Sequence, residues 1–332
     1  MRILLILCVC WCNCASLGAQ TPEPHVRLGF FEPADTFRQE RFYASLGIAT
    51  AIYSTVSIGL WEAWYQDFEL TGFHSFNDLG EWEDMDKVGH FMTTYNEANS
   101  LFKGALWTGM NRDKAKWAAV GGAMLLQSTV EVMDGFSAEW GFSWADMGSN
   151  VLGAGLFVAQ EDVWGEQRIL LKLSSTRPDY STAPIFSVDG NEQTTLLARA
   201  DELYGASFGQ VLIKDYNAQT IWLSVNPRAF TTAPSSKFPP WLNVAVGYGA
   251  GNMYGGFANE WESETGAVFR LDPAAYPRTR EFYLSLDIDF TRLGVKNHFW
   301  RTILSSLNFV KFPAPVIGID TQGKVFASPL RW

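Results

Sequence analysis

Phe282-Tyr283-Leu284-Ser285-Leu286-Asp287-Ile288-Asp289-Phe290 places an apolar residue at every even position and, from Ser285 onward, a polar one at every odd position. A period of two is the pattern of a strand whose two faces meet different surroundings. Taking the even positions as the buried face leaves Asp287 and Asp289 on the wet one. Residues 220–225 and 242–248 and a hairpin-like pair around Gln322-Gly323 give further strands. A membrane barrel requires repeated alternating segments of about ten residues. Only the quoted segment has that quality, and Pro234, Pro239, Pro240, Pro313 and Pro315 interrupt the region, although the chain ends in an aromatic, Trp332. The expectation for 171–332 is therefore a small antiparallel β region packed on what precedes it.

Upstream the period changes. Residues 42–170 carry helical patterning, with apolar runs at 117–130 and 147–160 that suit buried helices better than spanning ones. Residues 42–61 form an uncharged run of membrane length, diluted by Ser45, Thr50, Ser54, Thr55 and Ser57. Eight tryptophans lie from Trp61 to Trp164, and indoles favour sites with one apolar and one wet end. The fold class expected is α+β: an aromatic-rich bundle of four or five helices, then the β region. Two settings stay open for the bundle, contact with a bilayer or an ordinary aromatic core.

The N-terminus indicates the compartment. Arg2, an apolar core and Ser16-Leu17-Gly18-Ala19 have the order of a secretory signal peptide over residues 1–19. All four cysteines, Cys8, Cys10, Cys12 and Cys14, fall inside it, so the exported chain holds no disulfide or cysteine metal site. Cys14 follows Trp11-Cys12-Asn13, where lipid attachment would call for small residues. Residues 20–41 mix proline with charge and read as a linker, with Phe30 and Phe31 available to dock it. A net charge of -10 offers no basic surface for phosphates and excludes nucleic acid as a partner. The location expected is the periplasm or the periplasmic side of the outer membrane.

Three apolar segments each carry close polar residues. Asp86 and His90, with Lys87 between, share one side of a helix; Glu131 and Asp134 end the run from Trp117; Ser143 and Asp146 look like an N-cap and the N3 acid of a capping box, with Asn150 one turn later. Ionised groups on packed apolar helices are costly to bury alone, so these seven side chains, Asp86, Lys87, His90, Glu131, Asp134, Asp146 and Asn150, are expected to converge. Three chemistries suit them. One is a structural network. Another is a divalent-metal centre on Asp86, His90, Glu131 and Asp134, a ligand set compatible with zinc, manganese or iron. The third is a hydrolytic site with His90 as general base. Elsewhere, Glu81, Glu83, Asp84 and Asp86 suit the positive end of a helix, and Asp215, Asn217 and Gln219 read as a solvated turn rather than a calcium loop.

Asp86-Lys87-x-x-His90-Phe91, Glu131-x-x-Asp134 and Trp140-Gly141-Phe142-Ser143-Trp144-x-Asp146-x-x-x-Asn150-x-x-Gly153, in that order, resemble the YfiM-like predicted periplasmic lipoprotein family of unknown function. They are more distantly similar to VanZ-like envelope proteins, associated with glycopeptide-antibiotic resistance. The resemblance covers about residues 80–160, and the strand segments at 214–224, 241–248 and 282–290 resemble the tails of longer members. It implies an envelope location and supplies no reaction. Two functions are expected in consequence: a non-catalytic envelope protein docked on a membrane surface or an envelope protein partner, or a metal-assisted hydrolase or transferase acting on a lipid-linked or cell-wall substrate.

Overall fold

A computed structural model of the chain describes residues 29–62, 69–230 and 238–331. The leader, residues 20–28 of the proline-rich arm and Trp332 lie outside the described residues. Four long helices come first: α1 (Gln39–Leu60), α2 (Met85–Trp107), α3 (Arg112–Asp134) and α4 (Trp144–Trp164). There follow β1 (Ile169–Ser175), β2 (Pro184–Phe186), β3 (Gln193–Thr195), α5 (Leu196–Tyr204), α6 (Phe208–Lys214), β4 (Gln219–Val225) and β5 (Leu242–Gly251). The chain continues through β6 (Glu260–Glu262), β7 (Val268–Arg270), β8 (Thr279–Ile288), α7 (His298–Ser306), β9 (Ala314–Asp320) and β10 (Val325–Arg331). The α+β class holds, with three short helices within the β-rich half.

Helix limits follow local chemistry. Asn111 and Ser143 cap α3 and α4 by accepting from Asp113 N and Asp146 N, and Gly165 ends α4 at φ 67°, a left-handed conformation that glycine adopts without Cβ strain. Helices α2 and α4 run closely together. A Cβ on Gly153 would lie 2.3 Å from Phe91 O, so glycine there sets the spacing. Met92, Tyr95, Phe102 and Phe157 fill the space between helices, and Leu171, Ile221 and Met253 from the sheet side join the same core. Each such buried side chain contributes roughly 1.5–3 kcal/mol of transfer free energy.

Helix α1 departs from this pattern. Tyr43, Leu46, Ile48, Ile52, Val56 and Ile58 are exposed, and at 100° per residue they fall on all sides of the helix. Among the described residues it is the one helix long and apolar enough to cross a membrane, and its apolar window is not buried. The arm before it docks as expected. Phe30 packs on Trp107 and Phe31 on Phe299, and Trp107 Nε1 donates to Phe30 O at 2.6 Å.

The six-stranded antiparallel sheet has the order β1-β4-β5-β8-β9-β10. Its register aligns Leu171, Leu223, Val246, Leu284 and Ile317 in one row, and Lys172, Trp222, Gly247, Tyr283 and Gly318 in the next. The sidedness expected for residues 282–290 is reversed. Phe282, Leu284 and Leu286 are exposed, whereas Tyr283, Ser285, Asp287 and Asp289 are buried. Alternation shows that a strand has two unlike faces; it does not say which of them meets solvent. Asp215, Asn217 and Gln219 are likewise buried rather than solvated. Asp215 accepts from Tyr180 Oη at 2.9 Å, and Asn217 Nδ2 donates to Met253 O at 2.9 Å.

Candidate acidic cation site

The site starts in the turn before α2. Trp82, Glu83 and Asp84 have φ of 51°, 54° and 61°, a left-handed run that costs L-residues roughly 1–2 kcal/mol each. The sheet side holds it in place. Trp82 N donates to Gly256 O at 2.8 Å, Arg278 and Arg280 each reach Glu83 at 2.9 Å, and Arg280 reaches Asp84 at 2.7 Å. Tyr248 Oη also donates to Glu83 O. The acidic run is thus divided: Glu83 and Asp84 anchor the turn, while Glu81 and Asp86 line a cavity.

Lys87 sits at the centre of one half of the cluster. Its ammonium donates to Asp78 and lies 3.1 Å from Asp86 Oδ2 and 2.9 Å from Asp146 Oδ1. Asp78 also accepts from Ser143 Oγ at 2.7 Å, and Asp86 Oδ1 accepts from Tyr216 Oη at 2.8 Å. Ser143 is the expected N-cap, but Asp146 does not complete a capping box; its carboxylate turns to Lys87, and Ser143 N donates to Glu131 Oε2 at 3.2 Å instead.

His90 forms the other half. Its Nδ1 faces Asn150 Oδ1 at 3.2 Å, and Thr94 Oγ1 donates to that same oxygen at 2.8 Å. A carbonyl oxygen only accepts, so the ring nitrogen facing it carries a proton. Nε2 is left to face Asp86 Oδ1 at 3.7 Å and Glu131 Oε1 at 3.5 Å. Glu131 Oε1 and Asn150 Nδ2 are buried and have no hydrogen-bond partner. One ligand atom each from Asp86, His90 and Asp146 lies within 4.8 Å of the others, a spacing able to hold a metal ion.

The helices therefore bring six of the seven expected residues into contact, and Asp134, the fourth of the metal candidates, lies outside the trio. Asp86, Lys87, His90, Glu131, Asp146 and Asn150 are linked by the contacts above; Asp134 lines the same cavity and its charge acts on Glu131. Of the four metal candidates, Asp86 and His90 fall within the geometric trio, Glu131 stands beside His90, and Asp146 occupies the third corner. Asp78 and Tyr216 complete the site without having been singled out, and Glu81, expected only to favour the positive end of a helix, lines the cavity. Asp78 lies in irregular chain before α2, Glu81 opens the short 3-10 turn Glu81–Asp84, and Tyr216 arrives from the other half of the sequence, so no helical spacing points to them.

Acid is in excess here, and the carboxyl groups respond. Burial pushes Glu131 up to about 8, with the charges of Asp146 and Asp134 adding to it. Burial and the neighbouring Asp86 push Asp146 up to about 9, and burial with Asp86 and Asp78 pushes Glu81 up to about 7. Asp78 and Asp86 move the other way despite burial. Hydrogen bonds from Asp146 and Lys87 lower the first, and the charges of His90 and Lys87 lower the second. The cavity above the cluster measures about 480 Å³. Its floor is acidic, and its walls include Val56 of α1, Val130 and Met133 of α3, and Ile213 of α6.

No curated protein and no solved structure matches the chain. Residues 75–160, the segment that supplies Asp78 and the three cluster-bearing helices, match the sequence model of the family described as predicted periplasmic lipoprotein (DUF2279), in agreement with an exported, periplasmic protein.

Proposed function

We propose that this exported envelope protein binds a divalent cation at Asp86, His90 and Asp146, with Glu131 alongside, and uses it on an amphiphilic envelope substrate as a metal-assisted hydrolase or transferase. The observation that carries the reading is the imbalance of the cluster. Four carboxylates, Asp78, Asp86, Glu131 and Asp146, surround one lysine and one imidazole, and Glu131 Oε1 is buried without a hydrogen bond. Buried carboxylates in excess must either hold protons or meet a cation, and a divalent ion is the compact solution. Such an ion supplies Lewis acidity and a water of lowered pKa. Asn150 orients the imidazole, as an outer partner of a metal-bound histidine does. An acidic floor below apolar walls suits a polar headgroup carrying an apolar tail, and the VanZ-like resemblance of the same motifs points the same way.

Calorimetric titration with Mn²⁺ and Zn²⁺, paired with elemental analysis, tests the proposal. One equivalent should bind the wild type, and His90→Ala should weaken binding by about tenfold or more. No binding, or binding indifferent to His90→Ala, would remove the centre.

A second reading, docking on a membrane, has its own support. Helix α1 exposes apolar side chains over most of its surface and touches the bundle along the stripe of Ser45, Tyr53 and Ser57, where Tyr53 Oη donates to Thr129 Oγ1 at 3.1 Å, an exposure that suits a helix lying in lipid. It also contributes Tyr53 and Val56 to the cavity, so a substrate held in the same membrane has a short path to the acidic floor.

A further inference from the structure

We infer that the outer face of β5, β8 and β9 lies against the hydrocarbon of a lipid bilayer. The inference builds on the membrane reading of α1 only in its choice of partner; its evidence comes from the sheet. In a water-soluble antiparallel sheet with one covered face, the apolar side is covered and the polar side is wet. This sheet is the reverse. Trp222, Ala245, Tyr283 and Val316 form a small apolar cluster on the inner side, but Lys172, Asp287 and Lys311 are buried there too, with Ser224 and Asn243 beside them, while Val246, Phe282, Leu284, Leu286, Ile317 and Ile319 are exposed outside. Apolar outside and polar inside is the pattern of strands that face lipid.

Three further features favour a bilayer over a second copy of the chain. Strands β5 and β8 are ten residues each, within the roughly 9–11 that cross a membrane. The apolar band is bounded by aromatics at both ends, with Tyr248 packed on Phe282 at one and exposed Trp241 and Phe312 at the other. Such rings favour the two interfaces of a bilayer. Finally, exposed apolar surface is not confined to the sheet. Helix α1 presents it over most of its surface, whereas a single partner protein would cover one stripe. Where α2 overlies Leu171 and Ile221, the same outer face is already buried, so the exposed portion is an apolar surface awaiting cover.

The test is flotation of the full chain with vesicles of phosphatidylethanolamine and phosphatidylglycerol. In an Ile48→Arg, Ile52→Arg background, which removes anchoring through α1, Leu284→Arg combined with Ile317→Arg should lower the vesicle-bound fraction by about thirtyfold or more. Flotation that the sheet pair leaves unchanged in the folded variant would overturn the inference. Nitroxide labels at Leu284→Cys, Ile317→Cys, Ile52→Cys and Asn191→Cys, in a Cys8→Ser, Cys10→Ser, Cys12→Ser, Cys14→Ser background, provide a reading that leaves the face uncharged. Labels on the sheet should be open to oxygen and closed to a nickel chelate, with the Asn191 label in water. A sheet label as wet as that at Asn191 sinks the inference, as does label-to-label proximity between chains without lipid. A wet label at Ile52 beside lipid-facing sheet labels refutes only the α1 reading.

Discussion

Of the groups of buried charge among the described residues, one sits inside the sheet and another in the helical cluster, and the two are built differently. Inside the sheet, Lys172 and Asp287 are each 0% exposed and 2.8 Å apart. Asp287 also accepts from Ser224 Oγ at 2.6 Å and Phe312 N at 3.0 Å. Lys311 directs its three donors at Ser285 Oγ, Leu286 O and Phe312 O. Lys172 and Asp287 neutralise each other and the lysine donors are used, although Lys311 meets only neutral oxygens and Asn243 Oδ1 has no hydrogen bond. In the helical cluster, carboxylates outnumber cations, Glu131 Oε1 has no hydrogen bond, and the group opens on a cavity. A closed, matched set stabilises the fold once it is formed. An open, unmatched one costs stability until something binds, which is how a binding site differs from a strut.

The sharpest way to break this comparison is to remove one charge from each group. Asp287→Ala should lower unfolding free energy by about 3–5 kcal/mol in denaturant titrations, because Lys172 is left buried and unpaired. Glu131→Gln, removing one of an excess, should change metal-free stability by less than about 1 kcal/mol or raise it, while weakening cation binding. Equal losses at both sites would erase the distinction.

A smaller effect is expected at the helix contact that carries His90 to Asn150. Gly153→Ala places a methyl group against Phe91 O and should cost about 1–3 kcal/mol by forcing α2 from α4. Cation affinity should fall with it, because Asn150 lies on the displaced helix; retained affinity would show that the centre does not depend on this spacing.

Glu97, which lies on α2 and lines the same cavity, and Lys311 inside the sheet predict opposite pH slopes for the cation-free protein. Burial pushes Glu97 up to about 7, against the hydrogen bond from Gln127. The folded state then holds the proton more tightly than the unfolded chain, so that contribution is complete below about pH 4.5 and is lost as pH rises through 7. Glu97→Gln should flatten this limb, worth on the order of 2 kcal/mol. Burial lowers Lys311 to about 8, so between there and 10.5 the unfolded chain binds the extra proton and stability rises with pH. Lys311→Met should remove that rise. A falling limb that Glu97→Gln leaves unchanged, or a rise above pH 8 that Lys311→Met leaves unchanged, would contradict the pairing of these slopes.

Much of this was legible in the chain itself, and the failures have definite causes. Asp86, His90, Glu131 and Asp146 were visible because polar residues at helical spacing within apolar runs must find one another. Asp78 and Glu81 lacked any such period, and Tyr216 lies 130 residues from its partner Asp86. At residues 282–290 the alternation correctly gave a strand and the wrong inner face, because a period of two marks two unlike faces without saying which of them the rest of the chain covers. Asp146 was half legible: the cap serine does its expected work, but burial beside Lys87 outweighs the capping-box geometry for the acid.

The central claim is that the acidic cluster is completed by a divalent cation, and thermal or denaturant unfolding at pH 8 with and without Mn²⁺ tests it most directly. At ten times its dissociation constant the ion should add about 1.4 kcal/mol to the wild type and about 0.4 kcal/mol or less to His90→Ala. A midpoint that does not move with Mn²⁺ or Zn²⁺, or that moves equally in the variant, would contradict the account.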